Sequence, residues 1–215
     1  MSQTSDRRGL LLAMMEPPPA MEEEFQDWYD TEHLPERAGV EGFLTARRFV
    51  CIDGWPRYLA LYDLQDVQVL HGPGYAAVAG AGYSPWTHRV VSHVTGQYRA
   101  EGVQLYPGQA LFGAGGAAAR VMLIRFRQVP TDLSGPIEQG LRGLYEARPE
   151  TAQVRLYVAK QPDGTDYLGI VELHSPVAGA AADTAAFGPA RQYLDLVNVY
   201  VPYTRRMAGA FPKET

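Results

Sequence analysis

The sequence predicts an α+β fold in which two tandem βαββαβ units pack sheet to sheet as a single-chain α+β barrel. Three observations carry that prediction. First, a segment recurs: Asp53-Gly54-Trp55-Pro56-Arg57-Tyr58-Leu59-Ala60-Leu61-Tyr62-Asp63-Leu64 is echoed, one residue shorter, by Asp163-Gly164-Thr165-Asp166-Tyr167-Leu168-Gly169-Ile170-Val171-Glu172-Leu173. Second, each Asp-Gly pair sits between two runs rich in β-branched and aromatic residues, a strong short-range hairpin signal. Third, a strand and then a helix precede each hairpin, and a weaker helical stretch and a last strand follow it.

In order, the first strand is Leu10–Met15, the first helix Met21–His33, and the first hairpin joins Phe43–Ile52 to Arg57–Leu64. The second unit repeats the pattern with a strand at Arg120–Arg127, a helix at Pro136–Ala147 and a hairpin joining Gln153–Ala159 to Tyr167–Leu173. This order is that of the split βαβ, or ferredoxin-like, unit, an antiparallel sheet with both helices on one face. The units are expected over residues 1–112 and 117–215. A linker at 113–116 joins them, its Gly113, Gly115 and Gly116 supplying flexible backbone. A sheet covered on one face leaves the other needing a partner. The second unit is the natural partner, and the resulting barrel is expected to enclose a mostly apolar small-ligand pocket between the sheets.

Composition agrees with a globular chain: 215 residues, 46% hydrophobic and 20% charged. With 19 Lys+Arg against 24 Asp+Glu the net charge is −5, so no field concentrates a polyanion and nucleic-acid binding is not expected. The single Cys51 cannot form an internal disulfide. No apolar run approaches the roughly 18 residues of a membrane-spanning helix. The polar start and the short apolar run Leu10–Met15 do not make a signal peptide, and a cytoplasmic location is expected.

The segment richest in chemistry is Phe25-Gln26-Asp27-Trp28-Tyr29-Asp30-Thr31-Glu32-His33-Leu34-Pro35. Helical spacing places Phe25, Tyr29 and His33 on one face with Trp28 beside them. Pro35 is expected to stop the helix, leaving the imidazole in its last turn. There the helix dipole favours the protonated ring and burial opposes it, so the pKa can be pulled either way near neutrality. Asp30 is a candidate to orient the ring and Tyr29 to supply a hydroxyl. The plainer alternative is that His33 caps the helix and the aromatics are core.

The pattern Phe25-x-x-Trp28-Tyr29-x-x-x-His33-x-Pro35, followed by Gly42-Phe43-Leu44-x-x-Arg47-Arg48-Phe49, resembles the signature of EthD-like proteins of the dimeric α+β barrel superfamily. The resemblance covers the N-terminal half; the C-terminal half shares the element pattern and hairpin. Relatives in that superfamily include muconolactone-type isomerases, polyketide cyclases and dehydratases, cofactor-free quinone-forming monooxygenases and haem enzymes. The resemblance therefore implies the fold more firmly than the reaction. Aligning Leu144-Tyr145 with Trp28-Tyr29 puts Pro149 where His33 stands, which implies one histidine site per chain.

Other candidates follow from strand alternation. Arg47 and Arg48 are expected on opposite faces of Phe43–Ile52, and the one facing the pocket offers a fixed fork of donors to a carboxylate or enolate. Tyr58 and Tyr62 share one strand face. Pro85–Arg89 is expected to lead into a strand with His88 and His93 on opposite faces, and His93 is a candidate to line the barrel or ligate haem. His71 and His174 carry no assigned role. The acidic run Glu22-Glu23-Glu24 is explained by the dipole of the helix start. No zinc spacing, phosphate loop, Rossmann fingerprint or nucleophile elbow is present, and neither metal nor cofactor is expected.

The expected function is that of a cofactor-free isomerase, lyase, dehydratase or cyclase acting on a small hydrophobic or aromatic molecule. His33, Tyr29 and Asp30 would be catalytic, and Trp28, Arg47, Arg48, Tyr58, Tyr62 and His93 would bind substrate. The alternatives are a non-catalytic ligand-binding or accessory barrel, and a monooxygenase-like or haem-binding member of the superfamily. A homodimer through exposed sheet edges stays open.

Overall fold

Eight antiparallel strands close into one barrel in the computed structural model, which describes residues 7–176 and 183–203. They are β1 (Gly9–Glu16), β2 (Arg47–Asp53), β3 (Tyr58–Leu64), β4 (Thr95–Tyr106), β5 (Arg120–Phe126), β6 (Thr151–Gln161), β7 (Gly164–Leu173) and β8 (Leu194–Pro202). Their order around the barrel is β1-β3-β2-β8-β5-β7-β6-β4, with β4 returning to β1. Five α-helices lie outside among the described residues: α1 (Glu22–Trp28), α2 (Leu34–Ala38), α3 (Pro73–Ala76), α4 (Pro85–Val91) and α5 (Ser134–Leu141). The ends of the two expected units, residues 1–6 and 204–215, lie outside the described residues.

Period-two alternation sorts each strand between two apolar layers. Leu10, Leu12 and Met14 of β1 face inward and meet Leu59 and Leu61 of β3, Leu123 of β5, Tyr157 of β6, Ile170 of β7 and Tyr200 of β8. This cluster fills the barrel. The expected pocket between two facing sheets is therefore corrected: β2 pairs with β8 and β4 with β6, so the halves share one hydrogen-bonded sheet around a packed interior. Closure leaves the barrel no unpaired edge.

The outward side chains are covered separately in each half. Leu11, Tyr58, Ala60 and Tyr62 pack against Phe25, Trp28, Tyr29, Tyr75 and Val90 of the helical layer. In the second half Met122, Ile124 and Val171 pack against Ile137 and Leu141 of α5 and against Phe187 in the 310 segment Thr184–Tyr193. The first hairpin turns at Gly54, whose φ of +116° is open to glycine, and whose absent Cβ leaves room for the Asn198 side chain.

Three boundaries differ from expectation for local reasons. The first helix does not stop at Pro35. A π-helical turn, Tyr29–His33, follows α1, and α2 continues through Pro35 to Ala38. Leu34 N–H reaches back five residues to the Tyr29 carbonyl, and Pro35 falls in the first turn of α2, where a missing donor is tolerated. The second strand starts at Arg47 rather than Phe43, because residues 39–42 turn and Phe43 makes one isolated bridge to Leu64. Finally, Pro85–Val91 is a helix, capped by the Ser84 side chain on Thr87 N–H, so His88 is helical and His93 lies in the turn before β4.

Candidate functional site

The π turn sets the geometry of the site. It carries His33 against the Trp28 ring, centroids 4.2 Å apart, and edge-on to Tyr29 at 5.2 Å. Trp28 is fixed in turn by its indole N–H, which donates to Thr87 Oγ1 at 2.9 Å, and Thr87 donates to Glu32 Oε1 at 3.1 Å. The imidazole is held by packing: His33 is 8% exposed and its Nδ1 has no hydrogen-bond partner.

One turn further on, α2 brings in Arg37, whose side chain is 2% exposed. Its only carboxylate contact among the described residues is Glu36 Oε2, at 3.4 Å, long for a charge-assisted hydrogen bond. The guanidinium lies over the rings of Tyr75 (5.6 Å) and Tyr83 (5.8 Å). Burial, reinforced by Glu32, pushes the Glu36 carboxyl above its usual range against the pull of Arg37.

These groups face a cavity of about 90 Å³, partly open to solvent, between the outer surface of the barrel and the helical layer. Its polar lining includes His33, Arg37, Tyr62, Tyr83, Gln97 and Arg99, and Leu11, Ala13 and Met15 of β1 lie on its apolar side. Among the described residues no acid lines it. Arg99 is neutralised by Glu101 at 2.7 Å.

Burial, with the positive charges of Arg37 and Arg48, depresses the His33 pKa from 6.5 to about 2. The ring is thus a neutral imidazole throughout the physiological range, which corrects the expectation of a group poised near neutrality. The protein environment overrides the helix dipole, since desolvation and two cations act together on a ring the solvent does not reach. Burial raises the Tyr29 pKa against the pull of Arg48, and burial beside Tyr29 raises that of Tyr62, so both phenols remain protonated. The Tyr62 hydroxyl has no hydrogen-bond partner of normal geometry.

Of the residues expected at the site, His33 and Tyr62 line the cavity, with Trp28 and Tyr29 packed directly on His33. Asp30 turns away: it accepts from Arg48, which also donates to Gln26 and lies over the Tyr29 ring at 4.3 Å. Arg48 therefore acts on His33 by charge from behind Tyr29. Arg47 is exposed at the start of β2. Tyr58 donates to Glu22 at the far end of α1. His93 is exposed, its Nδ1 within 2.7 Å of the Arg89 carbonyl, and does not line the barrel. Sequence reasoning does not reach Arg37, Tyr75, Tyr83 or Arg99. For Arg37 the signal is present, since it extends the i, i+4 series Phe25–Tyr29–His33 by one step; ending the helix at Pro35 hides it.

Among the described residues no group of three or more His, Cys, Asp or Glu is placed to hold a metal ion, and no helix is long and apolar enough to cross a membrane. Glu22 and Glu24 instead pair with Arg57 and Arg89.

No family model matches the chain, and no curated protein matches it. Solved structures do. An anthrone oxidase-like protein superposes with a TM-score of 0.65 at 13% identity, covering 97% of this chain and 96% of that one. The chlorite dismutase of Candidatus Nitrospira defluvii in complex with imidazole gives 0.53 at 11% identity, covering 95% and 93%. A haem-binding protein from Thermus thermophilus gives 0.52 at 9% identity, covering 92% of each chain. These neighbours are dimeric α+β barrel proteins, and at such identities the likeness is one of fold.

Proposed function

We propose that the protein is a small-molecule enzyme of monooxygenase type, working without haem in the His33 cavity, and that it arose by tandem duplication of an EthD-like, ferredoxin-like unit. The duplication reading is supported by strand order. Residues 1–112 contribute β4-β1-β3-β2, residues 117–215 contribute β8-β5-β7-β6, and each half follows its first helix with a π turn, Tyr29–His33 and Arg142–Glu146. Only the first of these turns carries a histidine.

The observation that carries the functional reading is the cavity: a neutral, nine-tenths-buried imidazole and the Tyr62 hydroxyl, which makes no hydrogen bond of normal geometry, beside an arginine whose carboxylate partner, Glu36, is held at 3.4 Å. The neighbours include a haem-binding protein, but these residues do not fit haem. A cavity of about 150 Å³ holds one benzene, and the space here is about 90 Å³, far too small for a tetrapyrrole. The likeness to an anthrone oxidase-like protein supports direct oxygenation of an activated carbon. In that reaction one methylene group and one molecule of dioxygen give one carbonyl group and one water. The substrate carbon loses a proton, the carbanion adds oxygen, and the hydroperoxide expels water.

His33 is the neutral base beside the substrate; Arg37 lowers its basicity, but the same charge stabilises the anion left behind, so proton loss is driven by that pairing rather than by the strength of the base. Tyr62 supplies a hydroxyl to the substrate oxygen. Isomerase or lyase chemistry would use the same residues but consume no oxygen. Oxygen uptake with a panel of single-ring enolisable ketones and phenols tests the reading. We expect turnover with uptake that His33→Gln lowers about a hundredfold or more, while His93→Gln leaves it unchanged. Full activity in a folded His33→Gln protein overturns the assignment; turnover without oxygen uptake overturns the monooxygenase reading.

A further inference from the structure

We infer that the cavity binds its ligand as an oxyanion, a single-ring phenolate or enolate whose charged oxygen pairs with the Arg37 guanidinium. The inference rests on the His33 cavity being the functional site and adds the charge state in which the ligand is held there. A guanidinium as buried as Arg37 normally has a carboxylate close by, because an unpaired buried charge is costly. Here the nearest acid stands 3.4 Å away on the adjacent residue, Glu36, partly in solvent.

The other neighbours do not supply the missing charge. Tyr75 and Tyr83 meet the guanidinium with their rings, and among the described residues no acid lines the cavity. Arg48 already has Asp30, and Arg99 already has Glu101. Glu32, the other acid near α2, is engaged with Ser84 and Thr87. What remains is one buried positive charge whose single carboxylate partner among the described residues, Glu36, is held at 3.4 Å and does not line the partly enclosed space it faces. A carbonyl ligand would leave that charge with Glu36 alone, whereas an oxyanion gives it a partner inside the cavity, where water screens the pair poorly.

Shape narrows the class. The cavity is smaller than one that takes a whole benzene ring, so the ligand's oxygen enters first and the rest of the ring extends toward the open side of the cavity. An oxyanion conjugated to a ring is also the electron-rich form that reacts with oxygen at carbon, so charge state and reaction agree.

The test uses 4-nitrophenol, whose phenol and phenolate forms absorb at different wavelengths, titrated with the full-length protein below the pH at which the free phenol ionises. We expect the phenolate band to appear on binding, equivalent to an apparent pKa lowered by at least one unit, a tenfold preference for the anion. The neutral 4-nitroanisole should bind at least tenfold more weakly. Arg37→Met should abolish the shift, and Arg37→Gln serves the same purpose should the methionine variant not fold. His33 imidazole resonances, followed by NMR, report whether the probe is in the cavity.

If 4-nitrophenol perturbs His33 but stays a phenol, the oxyanion inference falls and the site reading stands. If neither probe perturbs His33, both fall. A phenolate band that persists in folded Arg37→Met and Arg37→Gln removes Arg37 as the counterion and overturns the inference.

Discussion

Replacing Arg155 by methionine tests how the two halves of the barrel are held at one end. Arg155 projects inward from β6 and is fully buried, with Nη1 2.6 Å from Asp63 Oδ1 of β3 and Nη2 2.9 Å from Glu172 Oε1 of β7. Nη1 also donates to the Tyr157 hydroxyl at 2.8 Å. Both carboxylates have further donors: Phe112 N–H at 2.6 Å to Asp63, and Gly113 N–H at 2.8 Å to Glu172. One cation thus serves two buried acids, one from each half of the chain. Removing it leaves both uncompensated.

Breaking a buried pair by deleting one partner costs about 3–5 kcal/mol. For a chain of this size each kcal/mol moves Tm by about 2–4 °C, so a fall on the order of 6–20 °C is expected. The pH dependence gives a second readout. Burial raises the Glu172 pKa above 4.5 against the pull of Arg155. A carboxyl with a folded pKa above its unfolded one contributes stability below the unfolded value and loses it as pH rises through the folded value. Loss of Arg155 widens that gap. The cost of R155M should therefore be largest at pH 7 and shrink toward pH 5, measured by urea denaturation at both. A cost below about 1 kcal/mol at pH 7, or one that does not shrink on acidification, refutes the account, since even ordinary surface substitutions reach about 0.5 kcal/mol.

In NMR titrations the His33 ring should remain neutral from pH 8 to pH 5. Its folded pKa of about 2 lies below the usual 6.5, so its contribution to stability is full above pH 6.5 and lost as pH falls toward 2; a midpoint near 6.5 would contradict the burial and charge assigned to it. Gly140→Ala should destabilise by about 1–3 kcal/mol, because a Cβ there meets Phe187 Cδ1 at 2.4 Å and the Ala186 carbonyl at 2.8 Å. An unchanged Tm would show that α5 does not pack on the 310 segment as described.

Element type is legible where chemistry is local. The Asp-Gly turns, the alternation of β1 and β3, and the aromatic face Phe25–Tyr29 follow from backbone preferences and side-chain spacing, and all appear in the fold. The alternation also assigns Arg47 and Arg48 to opposite faces, and one is exposed while the other is buried. The run through Pro35 escapes the same reasoning, because proline's rule applies to a regular α-helical ladder and the chain here widens into a π turn. The start of Pro85–Val91 is itself a local signal, a Ser84 cap followed by Pro85, which the strand reading of His88 and His93 passes over.

By itself the sequence determined that this chain is an α+β protein built on two hairpins, with a histidine on an aromatic helix face. Tertiary structure decided where that histidine acts. Strand alternation gives each strand two apolar faces but does not say which will be filled by the opposite side of the barrel and which will be left with space beneath the helices. Closure through β2–β8 and β4–β6 packs the interior and moves the cavity outside. The charge of the site was likewise hidden, because a guanidinium's partners are set by residues brought near through folding. Only there do Arg48 find Asp30, Arg99 find Glu101, and Arg37 find no carboxylate nearer than that of Glu36, at 3.4 Å.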